Sequence, residues 1–258
     1  MMHKVERIAS KLTSIISAWP EVESVLSCEA SETDVLDPYF ALVLDVYYDG
    51  AIPGRDERQS LYDNPGAFET SSSGEKDRFF LESLPIHIEY KHASALENVI
   101  GNQFDSMLVF GSSGTYILHR LVNGTILYKR NDRIERIRES LNHSPLEFWQ
   151  HLREVNQQKM EHCLSDLGGA ALKDDRFFYF VSLSGFMRAF VSAIFAANRQ
   201  WEPSDRHMSA ALLALPILPE DLQGRWAQLL QTDGSVDPER RYQIAQLITR
   251  SVFALEQA

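Results

Sequence analysis

The sequence predicts an α/β domain built on a mixed sheet, followed by a second domain made of helices. Residues 39–48 are almost wholly apolar, aromatic and β-branched, and residues 85–92 alternate between apolar and polar side chains, so both segments are predicted strands. From Ser144 onward long helical repeats replace these patterns, and no strand pattern recurs. We therefore expect an α/β domain at residues 1–142 and a helical bundle domain at residues 143–258.

The α/β domain is predicted to begin with a helix and a short strand. Apolar residues recur at steps of three and four along an amphipathic helix, at Val5, Ile8, Leu12 and Ile15. Trp19-Pro20 ends this helix, because the residue before a proline avoids the helical conformation. Residues 21–30 contain Val22, Val25 and Leu26 and are consistent with a strand.

The segments on either side of the strand predicted at residues 85–92 are predicted to be a connection, a helix and a hairpin. Residues 55–77 are predicted to form a long connection with a polar tip at residues 71–74. A short helix is expected at residues 93–100. Residues 116–130 are predicted to form a hairpin, because Asn123-Gly124 is a strong signal for a tight turn.

The second domain has clear helix signals. Ser144, Pro145 and Glu147 form a favourable helix start, and Asp237 before Pro238 forms another. The pattern predicts five helices, at residues 145–166, 176–198, 205–215, 219–231 and 238–256.

Charge and composition narrow the class of protein. The 258 residues carry a net charge of −11, which disfavours general binding to nucleic acid. Cys28 and Cys163 match no zinc or redox spacing, so we expect a reduced, cytoplasmic environment. The most apolar stretch, residues 177–197, contains Arg188 and several serines, which favours a buried helix over a membrane span. The oligomeric state is not readable from the sequence.

Two carboxylates are placed unusually, within predicted strands. Asp45 is the single charge in the first strand, and Glu89 lies in the second. A buried charge needs a partner. If the two strands are neighbours, both carboxylates could hold Mg²⁺ beside substrate phosphates. The alternative is an ion pair with Lys91, Arg78 or Lys76, and the spacing alone favours this alternative.

The order of elements and several segments resemble the nucleotidyltransferase superfamily of polymerase-β type, and more narrowly the kanamycin-type antibiotic nucleotidyltransferases. The similar segments are Asp37-Pro38-Tyr39, leading into the first apolar strand, PIHIEYKHASALENVIG at residues 85–101, and the predicted hairpin that follows. Residues 197–203 and 215–219 look like a branch of the same superfamily.

This resemblance implies a function and a set of site residues. Asp45 and Glu89 would be the catalytic carboxylates and the ligands of Mg²⁺, and Lys76 and Arg78 would contact a nucleoside triphosphate. The protein would then transfer a nucleotide to a small hydroxylated acceptor. On composition alone, Lys76-Asp77-Arg78 is more often a surface charge cluster.

The sequence also departs from the family pattern. Where the family has a Gly-Ser pair that holds phosphate, this chain has Ser27-Cys28-Glu29-Ala30. Where the family has a second acid two positions from the first, this chain has Val43 and Tyr47 beside Asp45, and neither side chain binds a metal. Two hypotheses follow: an active nucleotidyltransferase, or a catalytically degenerate binding or regulatory module with the same fold.

Overall fold

The computed structural model describes residues 4–29, 42–101 and 115–255. These residues form two compact units. The first contains residues 4–29, 42–101 and 117–143, and the second contains residues 115–116 and 144–255. Asp37 and the first residues of the strand predicted at residues 39–48 lie outside the described residues.

The first unit is built on a six-stranded sheet. Its strands are β1 (Val22–Glu29), β2 (Leu42–Tyr48), β3 (Gly66–Thr70), β4 (Lys76–Leu81), β5 (Leu84–His92) and β6 (Thr125–Lys129). The strand order is β3-β4-β5-β2-β1-β6. β2 and β5 pair in parallel and the other neighbours pair antiparallel, so the sheet is mixed, as the sequence predicts.

Within the described residues, five helices accompany this sheet. They are α1 (Lys4–Ser17), α2 (Arg55–Leu61), α3 (Ala93–Gly101), α4 (Tyr116–Asn123) and α5 (Arg133–Asn142). The predictions of α1 and α3 are confirmed. α1 buries its apolar stripe, including Ile8 and Leu12, in the core on one side of the sheet.

The pleat of β2 and β5 sorts their side chains onto two faces. Leu44 and Val46 belong to the core with α1, and so do Ile88 and Tyr90 of β5. Asp45 lies between two of these core residues, so its side chain points to the opposite face. The register places Asp45 beside Glu89, so the opposite face carries both carboxylates.

The prediction that residues 55–77 form a long connection is wrong. This segment contains α2, β3 and the start of β4, with residues 71–74 as the turn between the two strands. A buried carboxylate, which the sequence alone does not reveal, joins these elements. Arg58 of α2 donates two hydrogen bonds to the buried carboxylate of Asp77, at 2.7 and 2.9 Å. Thr70 and Tyr90 donate to the same carboxylate, at 2.8 and 2.7 Å.

The predicted hairpin at residues 116–130 is also wrong, because its first half is α4. Leu118 and Leu121 are buried on one side of this helix. Their spacing of three residues is helical, although the segment is predicted to be a strand. The Gly124 amide donates to the Arg120 carbonyl at 2.8 Å, so Asn123-Gly124 ends a helix instead of turning a hairpin. A Cβ at Gly124 would lie 2.7 Å from that carbonyl oxygen, which requires glycine here.

The second unit is helical in its described residues, as predicted. Its helices are α6 (Leu146–Lys173), α7 (Arg176–Ala197), α8 (Met208–Leu213), α9 (Leu222–Leu229) and α10 (Pro238–Ala254). Asp237 caps α10 by accepting a hydrogen bond from the Arg240 amide, at 2.7 Å. The start of α6 differs from the prediction, because Pro145 and not Ser144 occupies the N-cap position.

The helix α7 contributes more buried residues to the core of the second unit than any other helix described. Phe186 and Phe190 are fully buried within it, and their rings stack with centroids 6.4 Å apart. It is long and apolar enough to cross a membrane, with a mean hydropathy of 1.6 over an 18-residue window. That window is 61 % buried inside the protein, as in the core helix of a soluble protein.

Candidate functional site

The two predicted site carboxylates lie side by side. Asp45 and Glu89 are register partners on the parallel strands β2 and β5, so both side chains leave the same face of the sheet. The side chain of Asp45 is fully buried, and that of Glu89 is 20 % exposed. Two carboxylates this close repel each other unless positive charge lies between them.

Arg120 of α4 supplies that charge. Its Nη2 donates to Oδ1 of Asp45, and its Nη1 donates to Oε2 of Glu89 at 2.9 Å. The Arg120 side chain is itself buried, with 4 % exposed. A guanidinium is suited to this place because its fixed fork of donors can bond two carboxylates at once.

Two lysines complete the cluster. Lys91 Nζ lies 2.7 Å from Oδ2 of Asp45 and 3.6 Å from Oε2 of Glu89. Lys76 Nζ of β4 lies 2.5 Å from Oε1 of Glu89. Every carboxylate oxygen of Asp45 and Glu89 therefore has a cationic nitrogen within ion-pair distance. We call these five side chains the carboxylate cluster: Asp45, Glu89, Lys76, Lys91 and Arg120.

The cluster changes the acidity of Glu89. Burial by itself would raise the pKa of Glu89, but the charges of Arg120 and Lys91, with the hydrogen bond from Lys76, lower this pKa to about 2. Glu89 is therefore ionised across the physiological range.

Cys28 of β1 adjoins the cluster. Its thiol Sγ donates to Oδ2 of Asp45 at 3.2 Å. Burial and the nearby charge of Asp45 raise the pKa of the Cys28 thiol to about 12. A thiol that stays protonated is a weak donor and a poor nucleophile, so Cys28 fits a structural role.

The sequence identified part of this arrangement. It predicted that Asp45 and Glu89 would be neighbours if their strands paired, and it named Lys76 and Lys91 as ion-pair partners. Arg78 lies on the same strand as Lys76 and is exposed, and no ion pair joins it to either carboxylate within the described residues. The roles of Asp45 and Glu89 in catalysis and metal binding, and of Lys76 and Arg78 in nucleotide binding, stay predictions.

Arg120 and Cys28 were missed. Arg120 was placed in a hairpin, where its side chain had no reason to reach β2. The signal that could have found it is the helical spacing of Leu118 and Leu121, which puts Arg120 next to a buried stripe.

This chain is similar to one family model and to solved structures. A domain of unknown function (DUF4037) matches residues 113–207, which include Arg120. The crystal structure of a nucleotidyltransferase-like protein from Exiguobacterium sibiricum 255-15 is similar, with a TM-score of 0.48 and 14 % sequence identity. The similarity covers 97 % of this chain and 74 % of that chain. No curated protein matches this chain.

The donor set of the cluster does not fit Mg²⁺ as it is arranged. Mg²⁺ needs an octahedron of oxygens, and the oxygens of Asp45 and Glu89 already accept from cations. The residues two positions from Asp45 are Val43 and Tyr47, which offer no carboxylate. Among residues 4–29, 42–101 and 115–255, no group of three or more His, Cys, Asp or Glu side chains is placed to hold a metal ion.

Proposed function

We propose that this protein is a nucleotidyltransferase-like binding or regulatory module whose carboxylate site is closed by its own cations, and that it does not transfer nucleotides. The observation that carries this proposal is the bridge that Arg120 makes between Asp45 and Glu89. A metal ion shared by these two carboxylates would have to take the place of a buried guanidinium.

Displacing that guanidinium would be costly. Arg120 would lose its ion pairs with Asp45 and Glu89 while its side chain remained 4 % exposed, and breaking buried ion pairs on one side costs several kcal/mol. Lys91 would also have to leave Asp45, because its ammonium lies 2.7 Å from Oδ2. Mg²⁺ also gives up its hydration water reluctantly. A hydrated metal ion is therefore a poor competitor for this position.

The charge that remains favours an anionic ligand. The cluster has three cationic and two anionic side chains, and the exposed Arg78 lies on the strand that carries Lys76. Lys76 is itself 30 % exposed, so its ammonium can be approached from solvent. We propose that the phosphates of a nucleotide bind at this rim, through Lys76 and Arg78, without a metal ion.

The alternative is an active transferase that uses Mg²⁺, a nucleoside triphosphate and a small hydroxylated acceptor. One observation favours it: Asp45 and Glu89 leave the same face of the sheet in register, as two ligands of one metal ion would. In that case Mg²⁺ and the triphosphate together would replace Arg120 and Lys91.

Titration calorimetry with ATP and GTP, in the presence and absence of Mg²⁺, distinguishes the closed binding module from the active transferase. For the closed module, any nucleotide binding should be independent of Mg²⁺ and should weaken about tenfold in a Lys76→Ala/Arg78→Ala variant. Arg55→Ala is the matched control, because Arg55 is an exposed arginine of the same unit.

An assay of nucleotide transfer from labelled triphosphate tests the chemistry directly. Transfer that requires Mg²⁺ and is lost in Asp45→Asn would overturn the proposal and establish the transferase. For the closed module, Asp45→Asn should change the stability of the first unit and leave nucleotide affinity unchanged.

A further inference from the structure

A buried carboxylate in the second unit lines a small cavity. Glu202 follows α7 in the chain, and this residue is 6 % exposed. The cavity has a volume of about 230 Å³. Its walls include Arg188 and Met187 of α7, Asp205, Met208 and the ring of Trp226.

The hydrogen-bond partners of Glu202 are neutral. Its carboxylate bonds the hydroxyls of Ser192 and Thr115, and its own amide donates to Thr115 Oγ1 at 2.9 Å. Arg188 is the cation whose field reaches Glu202, but its guanidinium is paired with Asp205 at 3.0 Å. Within the part of the chain that the structure describes, no lysine or arginine forms an ion pair with Glu202.

A buried carboxylate without a counter-ion is unusual. Desolvation raises the pKa of Glu202, and the hydroxyls and the charge of Arg188 offset only part of that effect. Because Arg188 and Asp205 neutralise each other, an ionised Glu202 leaves the cavity with one unbalanced negative charge. Buried charges of this kind are usually matched by a partner, and here a cavity lies open beside it.

We propose that this cavity binds a small organic cation, a primary alkylammonium whose charged end bonds Glu202. The apolar body of such a ligand would lie against Met187, Met208 and the Trp226 ring. Thioethers and aromatic rings adapt to apolar groups, and an aromatic face also attracts a cation.

The size of the cavity limits the ligand. Pockets for drug-sized molecules have volumes of roughly 300–1,000 Å³, and this cavity is smaller. The ligand should therefore be a short amine with only a few carbon atoms. This site involves the second unit alone, so it does not depend on the function proposed for the carboxylate cluster.

Titration calorimetry on the full chain with n-butylammonium chloride tests the proposal, with n-butanol as the neutral ligand of similar shape. We expect the wild-type protein to bind butylammonium and to bind butanol at least tenfold more weakly. Glu202→Gln should weaken butylammonium binding at least tenfold, because the amide keeps the hydroxyl partners and loses the charge.

The control variant is Glu220→Gln, which removes an exposed carboxylate from the same unit and should leave binding unchanged. Two results would overturn the proposal: no binding of butylammonium by the folded wild-type protein, or equal binding of butylammonium and butanol. The second comparison uses wild-type protein alone, so it holds even if Glu202→Gln does not fold. Equal affinity of wild type and folded Glu202→Gln would likewise exclude Glu202 as the anchor.

Discussion

The carboxylate cluster of the first unit and Glu202 of the second unit both bury a glutamate, and they treat it in opposite ways. Glu89 is surrounded by three cations, which lower its pKa to about 2 although it is partly buried. Glu202 has hydroxyl partners and no ion pair within the described residues, and burial raises its pKa. The first arrangement leaves no oxygen free for a metal ion, and the second leaves a charge without a partner.

The difference teaches how the same residue type can close a site or open one. Desolvation acts against the charged form in both places, and the outcome is decided by whether opposite charge is near enough to outweigh it. Arg120 and Lys91 outweigh it at Glu89. At Glu202 the hydroxyl groups and Arg188, which is paired with Asp205, do not outweigh desolvation.

Removing the bridging cation should have the largest effect. Arg120→Met leaves fully buried Asp45 with Lys91 as its remaining charged partner, and breaking a buried ion pair on one side costs roughly 3–5 kcal/mol. We expect the free energy of unfolding of the first unit to fall by about this amount. Hydrogen exchange measured by mass spectrometry over β2 and β5 reports on this unit separately.

The matched control for this variant is Arg78→Met. Arg78 is an exposed arginine on the strand of Lys76, and its replacement should change stability by no more than about 0.5 kcal/mol. If Arg120→Met and Arg78→Met were equally mild, the bridge between the carboxylates would not hold the sheet and its neighbouring helix together. Adding Asp45→Asn to Arg120→Met should restore part of the loss, because the buried side chain that lost Arg120 is then neutral.

The residues of the carboxylate cluster and those around Glu202 differ in how far they could be predicted from the sequence. Asp45 and Glu89 were recognisable because each charge interrupts an apolar or alternating strand, and strand patterns are local. Lys91 lies on the same predicted strand as Glu89, so its pairing was within reach for the same reason. Lys76 was named as a partner although the segment that carries it, residues 55–77, was predicted to be a connection. The fold class followed from the same local patterns, together with the helical repeats after Ser144.

The features that could not be predicted depend on tertiary contacts. Arg120 contacts Asp45 across 75 positions of the chain, and its helix was misread because Asn123-Gly124 is also a turn signal. The helix α2 was predicted as part of a connection. Its Arg58 bonds Asp77, which lies 19 positions away, and such a contact cannot be seen in a local pattern. Glu202 gave no signal at all: a glutamate between Trp201 and Pro203 looks like a loop residue until its burial is known.

Lowering the pH should destabilise the first unit by protonating Glu89. Its pKa lies at about 2 in the folded protein, against an ordinary value of 4.5, so it contributes stability above about pH 4.5 that is lost as the pH falls toward 2. The difference corresponds to on the order of 3 kcal/mol. Glu89→Gln should therefore destabilise the first unit by up to this amount at about pH 7, and the gap between variant and wild type should narrow in acid.

Unfolding by urea at several pH values, followed through hydrogen exchange in β5, measures that gap. Taking the difference between wild type and Glu89→Gln cancels the titration of the other carboxylates, which both proteins share. A gap that stayed constant between about pH 7 and pH 3 would mean that Glu89 is not held ionised by Arg120 and the two lysines.

The smallest expected change in stability is that of Glu202→Gln, and it is opposite in sign to the change expected for Glu89→Gln. The folded-state pKa of Glu202 is raised, so wild-type stability from this group is fully present below its unfolded pKa and is lost as the pH rises through the folded value. Glu202→Gln removes the buried charge and keeps an oxygen that accepts from Ser192 and Thr115. It should therefore stabilise the second unit by roughly 1 kcal/mol at about pH 7, and the difference should disappear in acid. Hydrogen exchange in α7 follows this unit, and Glu220→Gln is the control. Destabilisation at neutral pH would show that Glu202 is already paired with a cation, and the contrast with Glu89 would then fail.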